Sequence, residues 1–143
     1  MATVTRIFIK TALGYACIGM LLSALWLING VWTLHPLLGA IQPMAIHMIV
    51  IGWLTQLIVG VALWMFPVWS KAQPRGPEWL SWTCYGLLNA GLILRVIAEP
   101  LSTQAMTPLL SWILIFSALL QVAALWLFAG LVWRRVRAKA SGR

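Results

Sequence analysis

The chain has 143 residues, of which 62% are hydrophobic and 8% are charged, and its formal net charge is +8. A soluble domain of this size needs a far more highly charged surface, and no Asp, Glu, Lys or Arg occurs in residues 11–70 or 100–133. Both stretches exceed the roughly 20 apolar residues that cross a bilayer, so the composition excludes an ordinary soluble protein and predicts an integral membrane protein.

Four membrane-spanning helices are predicted, at about residues 7–32, 43–67, 79–99 and 108–134. Proline-containing turns separate them. Arg6 and Lys10 precede the first apolar stretch, which is too long for a signal-peptide core and lacks an obvious cleavage site, so we expect a span there. Residues 1–143 are therefore predicted to form a single all-α, four-helix transmembrane domain with a basic tail at 134–143.

The basic residues predict the orientation of the bundle. Apart from Arg95, they lie in the N-terminal segment, in the second connection and in the C-terminal tail, at Arg6, Lys10, Lys71, Arg75, Arg134, Arg135, Arg137, Lys139 and Arg143. The first and third connections carry no Lys or Arg. Both termini and the second connection are therefore expected in the cytoplasm. The tail is expected to attract anionic lipid rather than nucleic acid, for which it is too short.

Five polar side chains share the outer third of the predicted bilayer: Asn29, His35, His47, Arg95 and Glu99. Ionisable residues within a membrane tend to mark a functional site. Arg95 and Glu99 are four residues apart on one predicted helix, so they can form an ion pair. Two interpretations stay open: the pair is a structural neutralisation, or Arg95 also holds an anionic group.

The second predicted helix has two faces. Gly52, Gln56 and Gly60 recur every fourth residue, which predicts a smooth strip for close helix contact, with Gln56 bonding across it. His47 is predicted on the opposite side, facing an apolar surface that a flat macrocycle, another helix or lipid can cover. That surface is formed by Ile51, Leu54, Ile58 and Met65.

Each histidine has two open interpretations. His47 is either a buried neutral imidazole bonded to a carbonyl or an axial ligand of haem iron. His35 stands before a proline in a connection, so it is either a surface or turn residue or a second metal ligand.

The pattern H-x4-G-W-x6-G-x6-P, formed by His47, Gly52, Trp53, Gly60 and Pro67, resembles the second helix of the haem-copper oxidase subunit I superfamily. Residues 89–101, NAGLILRVIAEPL, are similar to the third helix of small four-span relatives of that subunit. The resemblance covers about half of the chain. In that family a histidine at this place is an axial ligand of the low-spin haem b, so the resemblance implies this role for His47.

The resemblance also has consequences for size and activity. Subunit I contains three arcs of four helices, so this chain is expected to correspond to one arc, and three copies to form a homotrimer. The copper centre of the family needs three histidines, including a His-His pair, whereas this chain has 2 histidines. Oxygen reduction by one copy is therefore not expected, and whether the chain catalyses any reaction stays open.

Two functions are consistent with these observations. The first is a membrane haem b protein that transfers electrons or senses a gas or redox state near the outer face. In it His47 binds iron, Arg95 engages a propionate, and Asn29 and Glu99 support them. The second is a haem-free subunit that binds copper or zinc through His35, His47 and Glu99, or assists assembly of a respiratory complex. Either is expected in a bacterial inner membrane with a respiratory-chain partner.

A small proton-coupled exporter also has four spans, but such transporters rely on an acidic residue in the first span. Residues 7–32 contain no Asp or Glu, so this class is set aside.

Overall fold

The computed structural model describes residues 3–66, 69 and 76–136. Four of its helices are long and apolar enough to cross a membrane: Thr3–Trp32, Gln42–Met65, Glu78–Ser102 and Pro108–Trp133. The described part contains no strand, so the prediction of an all-α chain with four apolar spanning helices is confirmed. Several residues used in the predictions lie outside the described part, namely Pro67, Lys71, Arg75, Arg137, Lys139 and Arg143.

The described part contains six α-helices and one π-helix, and all of them except the short helix Pro36–Gly39 belong to the spans. We number them α1 (Thr3–Trp32), α2 (Pro36–Gly39), α3 (Gln42–His47), α4 (Gln56–Met65), α5 (Glu78–Ser102) and α6 (Pro108–Val136). The second span consists of α3, the π-helix Met48–Thr55 and α4 in sequence. The third span was predicted to end near Glu99, but α5 continues through Pro100 to Ser102. In the last turn the proline removes one backbone donor, and the loss of one bond does not end the helix.

The π-helix is the least expected feature of the second span. The backbone N–H of Gln56 donates to the carbonyl of Ile51, five residues earlier, and the Thr55 hydroxyl donates to the carbonyl of Val50, also five residues earlier, at 2.8 Å. A ladder with this spacing has wider turns than an α-helix. Side chains before Met48 therefore point in a different direction from the one that α-helical spacing predicts.

The glycine strip of the second span packs against α1. A Cβ atom added to Gly52 would lie 2.7 Å from Tyr15 Cγ, and one added to Gly60 would lie 2.9 Å from Phe8 Cβ. Between them Gln56 is fully buried, and its Nε2 lies 3.5 Å from the carbonyl oxygen of Phe8. The predicted close contact along Gly52, Gln56 and Gly60 is confirmed.

The other long interface joins α5 to α6. Gly91 lies against the Ser117 backbone, and the Cys84 thiol donates to the carbonyl of Ala124 at 3.3 Å. In the described part of the chain α1 and α6 share no extensive contact, so the helices pack mainly in the order of the four spans rather than as a closed ring. All four spans contribute to one buried cluster, which consists of Val4, Phe8, Val59, Leu63, Cys84, Leu88 and Ala124.

Most of the surface of the spans remains uncovered. Of the 18 most apolar consecutive residues of each span, only 17% are buried in the first and fourth spans, against 33% in the second and third. The exposed side chains are largely Leu, Ile, Val and Trp, which are suited to lipid or to another apolar helix. Together with the four apolar helices, this supports an integral membrane protein.

Candidate functional site

Three ionisable side chains meet where the second and third spans pack together. His47 is the last residue of α3, and Arg95 and Glu99 lie one turn apart on α5. Ser117 of α6 joins them from the fourth span. We call His47, Arg95, Glu99 and Ser117 the polar cluster. It lies at the end of the bundle that carries the first and third connections, as the sequence predicted for its three ionisable members.

The hydrogen bonds assign the protonation of the His47 ring. Its Nδ1 lies 2.9 Å from the carbonyl oxygen of Pro43 and 3.0 Å from Oε1 of Glu99. Both partners are acceptors, so Nδ1 carries the proton and donates it. Its Nε2 lies 3.1 Å from Nη1 of Arg95. A guanidinium can only donate, so Nε2 accepts through its lone pair, and the imidazole is neutral.

Arg95 is held by several long contacts. Its Nη1 lies 3.5 Å from Oε1 of Glu99, which confirms the predicted ion pair between residues four apart. Its Nε donates to the Ser117 hydroxyl at 3.4 Å, while that hydroxyl donates to the carbonyl of Gly91 at 2.6 Å. Bonds of 3.1 Å and longer are weak for a charged donor. The guanidinium is thus directed at His47 without being tightly fixed.

The cluster is only partly enclosed by the chain. Glu99 is 9% exposed, and in the described part its Oε2 is buried without a hydrogen-bond partner. The side chains of His47 and Arg95 are 27% and 20% exposed. A half-open site of this kind leaves a side from which a ligand or a second chain can reach the imidazole and the guanidinium.

His47 does not face the apolar surface that was predicted for it. The structure turns the ring toward α5, and Ile51, which was predicted on the same side, packs against the buried cluster instead. Leu54, Ile58 and Met65 do lie exposed, as an apolar lipid-facing side requires. The π-helix explains the difference, because its wider turns rotate the residues before Met48 relative to the rest of the span.

Asn29 and His35 form a separate arrangement in the first connection. Oδ1 of Asn29 accepts from the backbone N–H of His35 at 2.9 Å, and Nδ1 of His35 accepts from the backbone N–H of Leu37 at 3.2 Å. His35 therefore caps α2, which agrees with its interpretation as a turn residue. No hydrogen bond among the described residues joins either side chain to the polar cluster.

A haem-free metal site needs several ligands in one place. Within the described residues, no three His, Cys, Asp or Glu side chains lie close enough together to hold a metal ion. The structure therefore does not assemble His35, His47 and Glu99 into the ligand set proposed for copper or zinc, because the hydrogen bonds of His35 tie it to the turn before α2.

Two features of the site were missed by sequence reasoning. One is the identity of the carbonyl that His47 bonds: one interpretation expected a carbonyl without naming it, and the structure gives that of Pro43, four residues earlier in the helical turn of α3. The other is Ser117, which comes from a different span. Ser117 and Gln121 are four residues apart in an apolar helix, and this spacing indicates a shared polar face. It does not indicate which residue that face contacts.

The two ring nitrogens of His47 can be compared with those of a histidine that binds haem iron. A metal-binding histidine usually donates its second ring N–H to a carboxylate or a carbonyl, which fixes the tautomer and the ring orientation. His47 does both through Nδ1, and its Nε2 is left with a lone pair. One such imidazole is sufficient for a five-coordinate haem. The tautomer of His47 therefore suits this group, and Nη1 of Arg95, 3.1 Å from Nε2 in this structure, would have to move to admit it.

Comparison with family models, with curated proteins and with solved structures finds no match for this chain. The resemblance of residues 46–67 and 89–101 to the oxidase subunit therefore stays a prediction from sequence.

Proposed function

We propose that this chain is an integral membrane haem b protein in which Nε2 of His47 is the axial ligand. The observation that carries the proposal is the two acceptors that lie against Nδ1, the Pro43 carbonyl oxygen at 2.9 Å and Oε1 of Glu99 at 3.0 Å. They hold the imidazole in the tautomer that ligation requires. The His47 side chain is 27% exposed, so the four-helix unit does not close it off completely.

Each remaining member of the polar cluster has a distinct part in this proposal. Glu99 orients His47 and balances the charge of Arg95. Arg95 is the cation available to a propionate, and Ser117 directs it from α6. When bound, the haem iron supplies a one-electron couple and a coordination position for a diatomic gas. The function is accordingly electron transfer or the sensing of a gas or redox state, near the outer face if the predicted orientation holds.

Three further elements belong to the same proposal. The open order of the helices and the exposed first and fourth spans are compatible with three copies forming a closed ring. The resemblance in sequence suggests a respiratory-chain partner and a bacterial inner membrane. The alternative of copper or zinc bound through His35, His47 and Glu99 has no structural support in the described residues.

The test is a visible spectrum of protein purified in detergent from haem-replete cells. We expect a Soret band and a reduced-minus-oxidised difference spectrum typical of haem b. His47→Ala should abolish both while retaining its helical circular dichroism. His35→Ala is the matched control, because it removes the other histidine of the chain, and it should keep the band. Colourless wild-type protein, or loss of the band in His35→Ala alone, would contradict the proposal.

Carbon monoxide separates the two kinds of haem function. One chain brings one imidazole to the site, since His35 is held in its turn, so an isolated chain should leave the sixth position of the iron open. The reduced protein is then expected to bind carbon monoxide with a shift of the Soret band. A reduced spectrum that does not respond indicates a second protein ligand and favours electron transfer.

A further inference from the structure

We infer that Arg95 makes the His47 site selective, because its guanidinium excludes bare metal cations from Nε2 and yields to a metal group that carries its own carboxylates. This inference rests on the proposed haem function, and it adds which class of ligand the site accepts and which class it rejects.

Bare metal cations are excluded because the Arg95 guanidinium donates a hydrogen bond to Nε2 of His47. Coordination of a metal needs the lone pair of this nitrogen, and Nη1 of Arg95 occupies it at 3.1 Å. Arginine stays protonated in proteins and has no acceptor to offer. A bare cation that approaches Nε2 therefore meets the positive charge of the guanidinium and offers it no new partner, in a region of low dielectric constant.

The charge balance of the cluster strengthens the exclusion. The chain's own charges cancel, since Arg95 and Glu99 form an ion pair and His47 is neutral. A divalent cation would add two uncompensated positive charges at a depth where charge is costly. Haem b brings the two negative charges of its porphyrin ring and two ionised propionates, and these four charges together exceed the charge of its ferric or ferrous iron. A guanidinium displaced from Nε2 by such a group has a new partner available.

Arg95 is also free enough to be displaced. Its contacts to Glu99 and Ser117 are 3.5 and 3.4 Å long, and its side chain is 20% exposed. Short, enclosed bonds would have fixed it at Nε2 against any ligand.

The experiment compares two porphyrins on purified apoprotein in detergent. Iron protoporphyrin IX and its dimethyl ester share the iron and the ring, but only the first carries carboxylates. We expect the wild type to bind the free acid at least tenfold more tightly than the ester. The test variant is the double substitution Arg95→Gln with Glu99→Gln, which leaves no unpaired charge. Its preference for the free acid over the ester should fall below about threefold in affinity.

Controls identify the part of the effect that depends on this arginine. His47→Ala gives the background from partition into the micelle. Arg6→Gln removes an exposed arginine near the N-terminus and should keep the wild-type preference. Equal affinities of the wild type for acid and ester would overturn the inference.

A second measurement does not depend on haem. The apoprotein is titrated with Zn²⁺ and Cu²⁺, and in parallel it is acylated with diethyl pyrocarbonate, which attacks an imidazole lone pair. The exposed His35 is the internal standard. We expect the wild type to bind neither Zn²⁺ nor Cu²⁺ stoichiometrically. In the double variant, the ratio of acylated His47 to acylated His35 should rise at least tenfold above that of the wild type. Tight binding of either ion at His47 in the wild type, or an unchanged ratio, would refute the exclusion.

The two proposals can fail separately. If neither porphyrin binds to the wild type above the His47→Ala background, the proposed haem function fails, whereas the acylation ratio still decides whether Arg95 covers Nε2. If both porphyrins bind equally well, the haem function stands and the selectivity does not.

Discussion

Glu99 contributes more to the polar cluster than the ion pair that the sequence predicts. One oxygen, Oε1, serves both His47 and Arg95, at 3.0 and 3.5 Å. It therefore links the second span to the third through a buried group. The other oxygen, Oε2, is buried without a partner in the described residues, which leaves it able to accept one more hydrogen bond.

Substitution of Glu99 tests this link by its effect on stability. Glu99→Ala removes the acceptor and leaves Arg95 without its counter-charge, and we expect the free energy of unfolding to fall by about 1–3 kcal/mol. Glu99→Gln keeps an oxygen that can accept the Nδ1 proton of His47, so it should lower the free energy of unfolding by less than Glu99→Ala does. Denaturant titration in detergent, followed by circular dichroism, measures both. An alanine variant as stable as the wild type would mean that the carboxylate does not hold the spans together.

At the scale of elements, the contact of α5 with α6 depends on a glycine. A Cβ atom on Gly91 would lie 2.8 Å from the carbonyl oxygen of Ser117 and 2.9 Å from Cγ of Gln121. The backbone oxygen cannot retreat without moving α6. This close approach also allows Ser117 to donate to the Gly91 carbonyl and to reach Arg95.

Two glycine-to-alanine substitutions on α5 form a matched pair. Gly91→Ala should destabilise the protein by about 1–3 kcal/mol, because the new methyl group forces the helices apart. Gly86→Ala adds the same methyl group where nothing lies within 4 Å, so it should be neutral or stabilise the helix by up to about 1 kcal/mol. Thermal unfolding of both variants in one detergent gives the comparison. Equal effects of the two substitutions would contradict the tight contact.

Arg135 fastens the opposite end of the second span to α6. It is 2% exposed, and its Nη2 donates to the carbonyls of Leu63 and Phe66 at 3.3 and 2.6 Å. These carbonyls belong to the end of α4, where no further turn of helix can satisfy them. A cation at this position also interacts favourably with the helix dipole.

Arg135→Ala should therefore lower the free energy of unfolding by about 1.5–3 kcal/mol, the range for hydrogen bonds to a charged group. Arg135→Lys keeps the charge but loses the forked geometry of the guanidinium, so we expect it to lower the free energy of unfolding by less than Arg135→Ala does. Trp126→Phe on the same helix is a suitable reference, since Trp126 is 78% exposed. The measurement is unfolding in detergent as above, and a stable alanine variant would show that the end of α4 needs no cap.

At the scale of the whole molecule, the orientation in the membrane is a prediction from the distribution of charge, and it can be tested directly. Alkaline phosphatase is active only outside the cytoplasm, and green fluorescent protein fluoresces when it folds inside it. We expect a C-terminal fluorescent fusion to be bright and a C-terminal phosphatase fusion to be inactive. A phosphatase fusion after Gly39, in the first connection, should be active. The reverse pattern would place the polar cluster near the cytoplasm.

The sequence alone determined the features that depend on neighbours along the chain. Long uncharged stretches specify spanning helices because hydrocarbon forbids unpaired backbone groups, so four spans could be predicted. The Gly52–Gln56–Gly60 strip lies within and after the π-helix, and it makes the predicted close helix contact, although the sequence did not name α1 as the partner. Arg95 and Glu99 were paired correctly because one regular α-turn separates them.

The tertiary structure decided the partners of His47. Its direction depends on the hydrogen-bond spacing of residues 48–55, and small changes in turn width add up along a helix, so an α-helical extrapolation pointed it to the wrong side. Ser117 joined the polar cluster from another span, and Asn29 and His35 stayed apart because they bond within their own connection. Such contacts arise from how the helices pack against one another, and no periodicity within one helix encodes them.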